Sequence, residues 1–399
     1  MSISPEALAA LVANPPSDPS TRAALHTAAR ALIHATETAS DVETRIHASF
    51  TVLPIVKIAT DLDLFNILIS TNSKTGKPVW HVDDLAQRTG AEASLLHRIL
   101  RFLATQALVA EVGEAAYGAS RLTPFLQPSG FAAGVKHNHN WPLRVFTELP
   151  NWLAQNGYRS PTSSTDGPFP QALNADLDVM AWLAANPEQA AATFEYMAWQ
   201  KIRGRSWMDE GGVKVAEGWQ LSDQEVEEGR VLLVDVGGAG GHQCFEFRRS
   251  FPERKGRLVV QDLEVMTSQI DKVAAKAAGV EAMTHDFLTP QPVKGAKVYY
   301  LRTVLHDWND EKAVRILRPL RDAMARDSVV VIDEMVVPAQ GATERTMLYD
   351  MAMLACLGAQ ERSERQWKDV LGRSGLRLKE VDVYDAEAGI GLVVAERAD

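Results

Sequence analysis

The sequence predicts an α/β protein in which a doubly wound, mostly parallel, seven-stranded sheet follows a mainly helical N-terminal part. From residue 229 onward, short apolar runs rich in β-branched residues alternate with helical patterns, which is typical of buried parallel strands. The first run, VLLVDV, leads into a glycine-rich turn, GGAGG, and the second run leads to Asp262. The last two strand patterns, in residues 376–399, predict a hairpin that places an antiparallel strand at the edge of the sheet.

Composition and pattern divide the 399 residues into four parts. Residues 1–20, rich in Pro, Ser and Ala, are expected to be a flexible N-terminus. Residues 21–126 are expected to be a helical, winged-helix dimerisation domain, residues 127–228 a helical linker that lines a substrate pocket, and residues 229–399 the sheet domain.

The balance of charge makes two classes of partner poor candidates. With 41 basic and 51 acidic residues the net charge is −10, which disfavours binding to nucleic acid and to anionic membranes. The cysteines, Cys244 and Cys356, fall in helical patterns and fit a reducing compartment. Because the sequence also has no signal-peptide pattern and no apolar span of membrane length, we expect a soluble, cytoplasmic protein.

The first 126 residues predict helices for subunit contact rather than for DNA. Residues 47–68 are apolar on nearly every side, which predicts one buried helix, and we favour a subunit interface. Helices at 82–88 and 93–105 followed by a two-strand wing predict a winged-helix module. Residues 79–126 carry four arginines against five acids, whereas a DNA-reading module should be clearly basic.

Residues 127–228 hold many aromatics and few strand signals. Helices are expected at 137–153 and 186–207. His137 and His139 lack a carboxylate or thiol at ligand spacing, so a solvated helix face is a better explanation than a metal site. Four side chains are candidates for a pocket wall, although aromatics and Met at helical spacing are more often core: Trp141, Trp152, Met197 and Trp199.

The glycine turn indicates which nucleotide the sheet holds. Neither reading frame fits the dinucleotide fingerprint G-x-G-x-x-G, because the sixth position is His242 or Gln243. The pattern acid-x-G-x-G-x-G, formed by Asp235, Gly237, Ala239 and Gly241, resembles motif I of class I S-adenosylmethionine (SAM) methyltransferases. Ala239 departs from the usual middle glycine. The alternative is a glycine turn that only lets helix and strand pack closely.

Further candidate residues follow the other strands of the predicted sheet. Ligands of open α/β sheets bind beyond the carboxyl ends of the strands. Asp262 can accept hydrogen bonds from two ribose hydroxyls, Asp286 can accept from an adenine amino group, and Phe287 can cover the adenine face. The remaining candidates at these positions are Arg302, His306, Asp307, Trp308, Asp333, Glu334 and, further along the chain, Glu361.

Three longer segments are similar to successive motifs of the plant and fungal natural-product O-methyltransferases, such as the caffeate and hydroxyflavonoid enzymes: RTVLHDWNDEKAVRILRPLRDAM, VVIDEMVVP and LGAQERSERQW. The resemblance runs from about residue 40 to the end. It implies a Rossmann-like class I methyltransferase domain and a homodimer in which interlocked N-terminal helices line the partner's pocket. It also implies SAM binding by Gly237, Gly238, Asp262, Asp286, Phe287 and Arg302, although the family usually has Lys where this chain has Arg302. Trp308 is a further cofactor-binding candidate, from its position after a strand.

A mechanism follows from the residue types. A neutral phenol, with a pKa of about 10, is a poor nucleophile at neutral pH, so methylation of its oxygen benefits from a general base. His306 is suited to this role if a carboxylate holds its other ring nitrogen, and Glu334 and Glu361 are candidates to orient it. A structural ion pair is the alternative for both glutamates. No metal is expected.

Three functions are considered. The leading hypothesis is a SAM-dependent O-methyltransferase that acts on a phenol or enol of a small polyketide-derived or aromatic acceptor. The alternative is a SAM-binding pericyclase or dehydratase of the same fold, in which the base position is often altered and groups such as His137, His139 or Arg203 would grip the substrate. The intact His306 and Glu334 favour methyl transfer. A DNA-binding regulator is the third and least favoured.

Overall fold

A computed structural model describes residues 4–203, 205–209 and 216–399 of the chain. The chain divides into two compact units, Met1–Gln127 and Pro128–Asp399. Within the described ranges, no helix is long and apolar enough to cross a membrane.

The first unit is mainly helical and carries a small antiparallel sheet. Strands β1 (Val79–His81), β2 (Val109–Gly113) and β3 (Ala116–Ala119) pair in the order β1-β3-β2, and β1 extends the predicted two-strand wing. No motif indicated β1, since three residues are too few to establish an alternating pattern. The helices are Pro5–Ala13, Pro19–Thr36, Ala39–Asp61, Leu64–Ile69, Val82–Thr89 and Ala93–Thr105.

The prediction of one continuous helix over residues 47–68 was wrong. The first helix ends at Asp61, and Asp63 adopts a left-handed conformation with φ of 55° before the second helix begins. Aspartate tolerates this conformation better than most residues, so it can separate two helices without a glycine. Leu64 and Leu68 of the second helix are fully buried, whereas Phe50 of the first is 69% exposed.

In the described part of the second unit, a series of helices precedes the large sheet. Trp141 separates the first two of them, so the single helix predicted at residues 137–153 was also wrong. Pro142 disfavours a helical conformation at Trp141 and begins the next helix itself. The helices are Ser129–Asn140, Pro142–Gln155, Phe169–Leu173, Val179–Ala185, Pro187–Arg203 and Asp223–Glu227.

The large sheet has the predicted mixed topology. Its path of seven strands runs β10-β11-β8-β7-β4-β5-β6, and the short β9 pairs with the end of β8. The antiparallel strand β11 lies between β8 and β10 and not at the edge, so the predicted edge position was wrong. The strands are β4 Val231–Val236, β5 Arg257–Asp262, β6 Val280–Thr284, β7 Val298–Arg302, β8 Val329–Val337, β9 Arg362–Ser363, β10 Leu376–Asp385 and β11 Ile390–Arg397.

Helices cover both faces of this sheet, which explains why its central strands are mainly apolar. In β7, Tyr299 and Leu301 pack into one core cluster, and Val298 and Tyr300 pack into another. Because parallel strands share a direction, the carboxyl ends of β4, β5, β6, β7 and β8 meet at one edge of the sheet. The helices from the sheet onward are His242–Ser250, Glu264–Thr267, Lys272–Ala278, Asp310–Ala323, Glu344–Leu357 and Glu364–Arg373.

Candidate active site

The glycine turn after β4 packs against the segment that follows β7. Gly237 has φ of +72°, and a Cβ at this position would lie 2.9 Å from Cγ2 of Val304. A Cβ at Gly238 would lie 2.5 Å from the carboxylate of Asp235. Both positions therefore need glycine for space. Ala239 keeps a left-handed backbone, with φ of 47°, so alanine takes the conformation that the usual glycine would adopt.

Asp262, at the end of β5, joins this turn to the next strand. Its Oδ2 accepts the N–H of Ala239 at 2.8 Å, and its Oδ1 accepts the N–H of Leu263 at 2.7 Å. Each carboxylate oxygen has a second lone pair available for a ligand hydroxyl. Leu263 is 54% exposed beside the carboxylate and offers an apolar surface. This set of acceptors and apolar surface fits a nucleoside.

The helix that follows the turn adds a site for a negatively charged group. Gly241 begins it in a left-handed conformation, and no described side chain caps the helix His242–Ser250. The first N–H groups of an uncapped helix attract a carboxylate. The amino-acid end of SAM carries such a group, so the turn, Asp262 and the helix start together fit that cofactor.

An aromatic pair lies at the same edge of the sheet. The rings of Phe287 and Trp308 meet edge to face with centroids 6.3 Å apart, and Nζ of Lys312 lies 3.9 Å from the centre of the Trp308 ring. Asp286 turns back on its own backbone, because its Oδ1 accepts the N–H of Leu288 at 2.9 Å. The structure thus brings Gly237, Phe287 and Trp308 close to one another.

The guanidinium of Arg302 is bound by other side chains of the protein. Its Nη1 donates to Oε1 of Gln243 at 2.9 Å, and its Nε lies 3.5 Å from Oδ2 of Asp333. Burial disfavours its charge, but Asp333 and the buried Tyr300 outweigh burial and raise the pKa of Arg302. Arg302 therefore anchors the first turn of the helix after the glycine turn, and the sequence did not indicate this arrangement.

His306 lies on a short 3-10 turn, Leu305–Asp307, which Thr303 and Val304 connect to the end of β7. Its Nδ1 is 2.8 Å from Oε1 of Glu361, and its side chain is 16% exposed. The other ring nitrogen, Nε2, is 3.5 Å from Oδ1 of Asp307. Burial lowers the pKa of His306, but the carboxylates of Glu361, Asp307 and Glu334 outweigh burial and raise it to about 10.

Glu334, within β8, binds the main chain that carries the histidine instead of the imidazole itself. Its Oε1 accepts the N–H groups of Val304, Leu305 and His306 at 3.0, 2.6 and 3.3 Å. Burial raises the pKa of Glu334 to about 7. The two predicted glutamates are thus both near His306, but they act on different parts of it.

Two further polar residues beside the site were not predicted. Asp350 accepts the backbone N–H of Glu361 at 3.0 Å, and Arg362 donates to carbonyls of the turn that carries His306. Asp350 lies outside the motifs named above, and Arg362, although it stands in LGAQERSERQW, had no role assigned to it. The position of Arg362, next to the predicted Glu361, was the one available signal.

In the helices before the sheet, several side chains predicted for a solvated face or a pocket wall are buried in the core. His137 is 8% exposed and its Nδ1 lies 2.8 Å from Oγ1 of Thr193, so the predicted solvated position was wrong. Trp141 and Trp152 are buried, and the side chain of Arg203 lies outside the described residues. In the part of the chain that the structure describes, no three or more His, Cys, Asp or Glu side chains are grouped as a metal site requires.

A glycine turn, an acid at the end of the next strand and a histidine with its glutamate, all at one edge of a sheet with this topology, define a class I SAM-dependent methyltransferase. Residues 215–377 match the model of the O-methyltransferase domain. Demethylsterigmatocystin 6-O-methyltransferase of Aspergillus flavus is 34% identical, with 90% of this chain and 89% of the relative covered. The chain belongs to the SAM-dependent O-methyltransferase family, among relatives from fungal natural-product biosynthesis.

Two solved structures extend the comparison to nearly the whole chain. A variant of LepI, in complex with SAH and a substrate analogue, has a TM-score of 0.84 and 30% identity, with 98% of this chain and 97% of that chain covered. A structure described as a pericyclic reaction enzyme has a TM-score of 0.85 and 29% identity, with 98% and 99% covered. SAH is the demethylated form of SAM, so the cofactor of the family is consistent with the glycine turn and Asp262.

Proposed function

We propose that this enzyme transfers the methyl group of SAM to a phenol or enol hydroxyl of a small, aromatic or polyketide-derived natural product, with His306 as the general base. The observation that carries the proposal is the 2.8 Å contact between His306 Nδ1 and Glu361 on a turn that packs against the glycine turn. Glu361 holds Nδ1 of the ring, so Nε2, which lies 3.5 Å from Oδ1 of Asp307, is the nitrogen that would face an acceptor.

We assign the cofactor to the residues that the strand ends bring together. Asp262 would accept from the ribose, the backbone around Gly237 and Gly238 would contact the amino-acid part, and Asp286, Phe287 and Trp308 would surround the adenine. SAM supplies an electrophilic methyl on a sulfonium. In the proposed transfer, Nε2 of His306 would take the proton of the acceptor hydroxyl as its oxygen receives that methyl group, with SAH as the other product.

The protonation state of His306 supports a coupling between binding of the cofactor and the availability of His306 as a base. With a pKa raised to about 10, the imidazole of the protein alone carries a proton at neutral pH and cannot accept another. A second cation in the same crevice disfavours this charge. We therefore expect the pKa of His306 to fall when the cofactor site is filled, so that the base becomes available in the complex that reacts.

We also propose that the chain forms a homodimer through its first unit. On the helix Ala39–Asp61, Ile46 and Phe50 are 57% and 69% exposed, and Ile58 is exposed as well. Large apolar side chains repeated along one helix are typical of a subunit interface. Light scattering combined with size-exclusion chromatography tests this, with twice the monomer mass expected for the full chain.

A second function is supported by the similarity to the pericyclic reaction enzyme. In that case the chain would use the positive charge of SAM to catalyse a rearrangement or dehydration, and no methyl would be transferred. The buried His137, whose pKa burial lowers to about 4, is a neutral hydrogen-bonding group that such a reaction could use. The His306–Glu361 pair favours methyl transfer.

One experiment separates the two functions. The enzyme is incubated with SAM labelled in its methyl group and with phenolic and enolic polyketide acceptors. Labelled product and SAH in equal amounts are expected for a methyltransferase. Product without label, with SAM unconsumed, would instead establish the pericyclase or dehydratase.

A further inference from the structure

The guanidinium of Arg362 lies completely buried behind the turn that carries His306. Nη1 donates to the carbonyl of Leu305 at 2.9 Å, and Nη2 donates to the carbonyl of Trp308 at 2.7 Å. These two carbonyls lie on either side of His306 in the chain. Arg362 therefore holds the carbonyl groups of the backbone segment that carries the histidine.

Glu334 holds the same turn by accepting hydrogen bonds from the backbone N–H groups of the turn. Its Oε1 takes the N–H groups at the start of the turn, whereas Arg362 takes the carbonyls of Leu305 and Trp308. The turn spans three residues and has two backbone hydrogen bonds of its own, from Asp307 N to Val304 O at 3.4 Å and from Trp308 N to Leu305 O at 3.2 Å. So short a 3-10 segment has little stability by itself, and its position depends on these partners.

The charge of Arg362 is compensated at the site. Its Nε donates to Oδ1 of Asp310 at 2.8 Å, and its guanidinium carbon lies 5.1 Å from the ring centre of Trp367. Gln360 also donates to Asp310, at 3.0 Å. A buried cation with one group on each nitrogen has a single well-defined geometry, which suits it to fix a backbone segment.

We propose that Arg362 is a positioning residue, which acts through the Leu305–Trp308 backbone to hold the imidazole of His306 against Glu361 and toward the acceptor. The proposal rests on the proposed role of His306. Glu361 and Arg362 are consecutive, so one segment of chain grips both the ring of the histidine and the backbone beneath it. A displacement of the ring by about 1 Å is enough to cost roughly 100-fold in rate.

The first test compares Arg362→Lys with Arg248→Lys. Lysine keeps the charge but cannot span two carbonyls and a carboxylate at once. Arg248 is the matched control, because it donates to the carbonyls of Ala278, Arg254 and Gly256 away from the site. For Arg362→Lys we expect kcat to fall roughly 10- to 100-fold with the Kd for SAM changed by less than about threefold. For Arg248→Lys we expect lost thermal stability and unchanged kcat.

The second test measures the histidine without turnover. The charged groups around the imidazole are Glu361, Asp307 and Glu334, with Asp350 behind Glu361. In protein labelled with ¹⁵N-histidine, the resonances of His306, assigned by their loss in His306→Asn, are titrated in the wild type and in Arg362→Lys. We expect its pKa to move toward the ordinary histidine value in the variant, because a displaced ring loses contact with Glu361.

The results distinguish a failure of the proposed function from a failure of the positioning role of Arg362. If the wild type transfers no methyl to any acceptor, the proposed function fails, while the titration still decides whether Arg362 holds the ring. An unchanged titration together with a kcat like that of Arg248→Lys overturns the positioning role. Should Arg362→Lys fail to fold, Asp310→Ala replaces it, since it frees the guanidinium at one of its three contacts. For Asp310→Ala we expect a smaller fall in kcat and a smaller shift of the His306 pKa than for Arg362→Lys. A kcat and a His306 pKa both equal to those of the wild type overturn the proposal.

Discussion

Nδ1 of His306 and Oε1 of Glu361 lie 2.8 Å apart, although 55 positions separate the two residues in the chain. The histidine follows β7, and the glutamate precedes β9, which pairs with the end of β8. Because β7 and β9 each pair in parallel with β8, the two side chains come together. This contact fixes which ring nitrogen can face an acceptor, and several predictions about the reaction depend on it.

Replacement of His306 by alanine should lower kcat about 100-fold or more while leaving the affinity for SAM nearly unchanged. The imidazole is proposed to handle only the proton of the acceptor, whereas the cofactor is assigned to Asp262 and the glycine turn. Turnover is measured with labelled SAM and affinity by calorimetry. His26→Ala, at an exposed histidine of the helix Pro19–Thr36, is the control. Equal turnover in wild type and His306→Ala would remove His306 from the reaction.

The stability of the cofactor-free protein should depend on pH through the His306–Glu361 pair. The pKa of His306 in the folded protein is raised to about 10, above the ordinary value near 6.5. A raised histidine pKa adds stability that is complete below the unfolded value and is lost as pH rises through the folded value. The free energy of unfolding of the wild type should therefore exceed that of Glu361→Gln most at pH 6, and the difference should shrink toward pH 10.

Urea denaturation without SAM at several pH values measures this difference. Glu364→Gln provides the control, because Glu364 makes the same kind of charged contact, with Lys368, at the exposed surface. Its difference from wild type should stay small and nearly constant over this range. A difference for Glu361→Gln that grows toward high pH would contradict the sign of the pKa shift.

Asp262→Ala should weaken SAM binding by roughly 10- to 100-fold, because hydrogen bonds to a charged group contribute about 1.5–3 kcal/mol. The change should appear as a smaller rise in Tm on addition of SAM. Asp271→Ala is a matched control, since Asp271 also accepts two backbone N–H groups, those of Val273 and Ala274, at a helix start. It should lower Tm and leave the SAM-dependent rise intact.

Ala239→Gly should stabilise the protein by about 1 kcal/mol, because alanine is held here in a left-handed conformation that glycine adopts without strain. SAM affinity should be retained, since the N–H that donates to Asp262 remains. Chemical denaturation of the two proteins measures the change. Ala107→Gly, at another left-handed alanine with φ of 56°, should stabilise similarly. A loss of stability on Ala239→Gly would indicate that its methyl group makes a needed contact.

Prediction from sequence worked where one local rule governs the outcome. The runs that became β4, β7 and β8 are mainly apolar because helices cover both faces of the sheet, and such runs indicate buried parallel strands directly. The rule that ligands bind beyond strand ends also located Asp262 and His306 at the same edge. Single residues that end a helix were harder to predict: Asp63 and Trp141 each divide a segment whose apolar pattern continues across the break.

The sequence by itself determined the class of fold, the order of the strands along the chain and the kinds of side chain at the strand ends, because periodicity, turn chemistry and residue type are local properties. Only the tertiary structure decided the partners: Glu334 on the backbone of the His306 turn, Arg302 on Gln243 and Asp333, and Arg362 behind the histidine. A hydrogen bond requires two atoms within about 3 Å in a suitable direction. For groups tens of residues apart, that distance is set by how every intervening element packs, and no local pattern contains it.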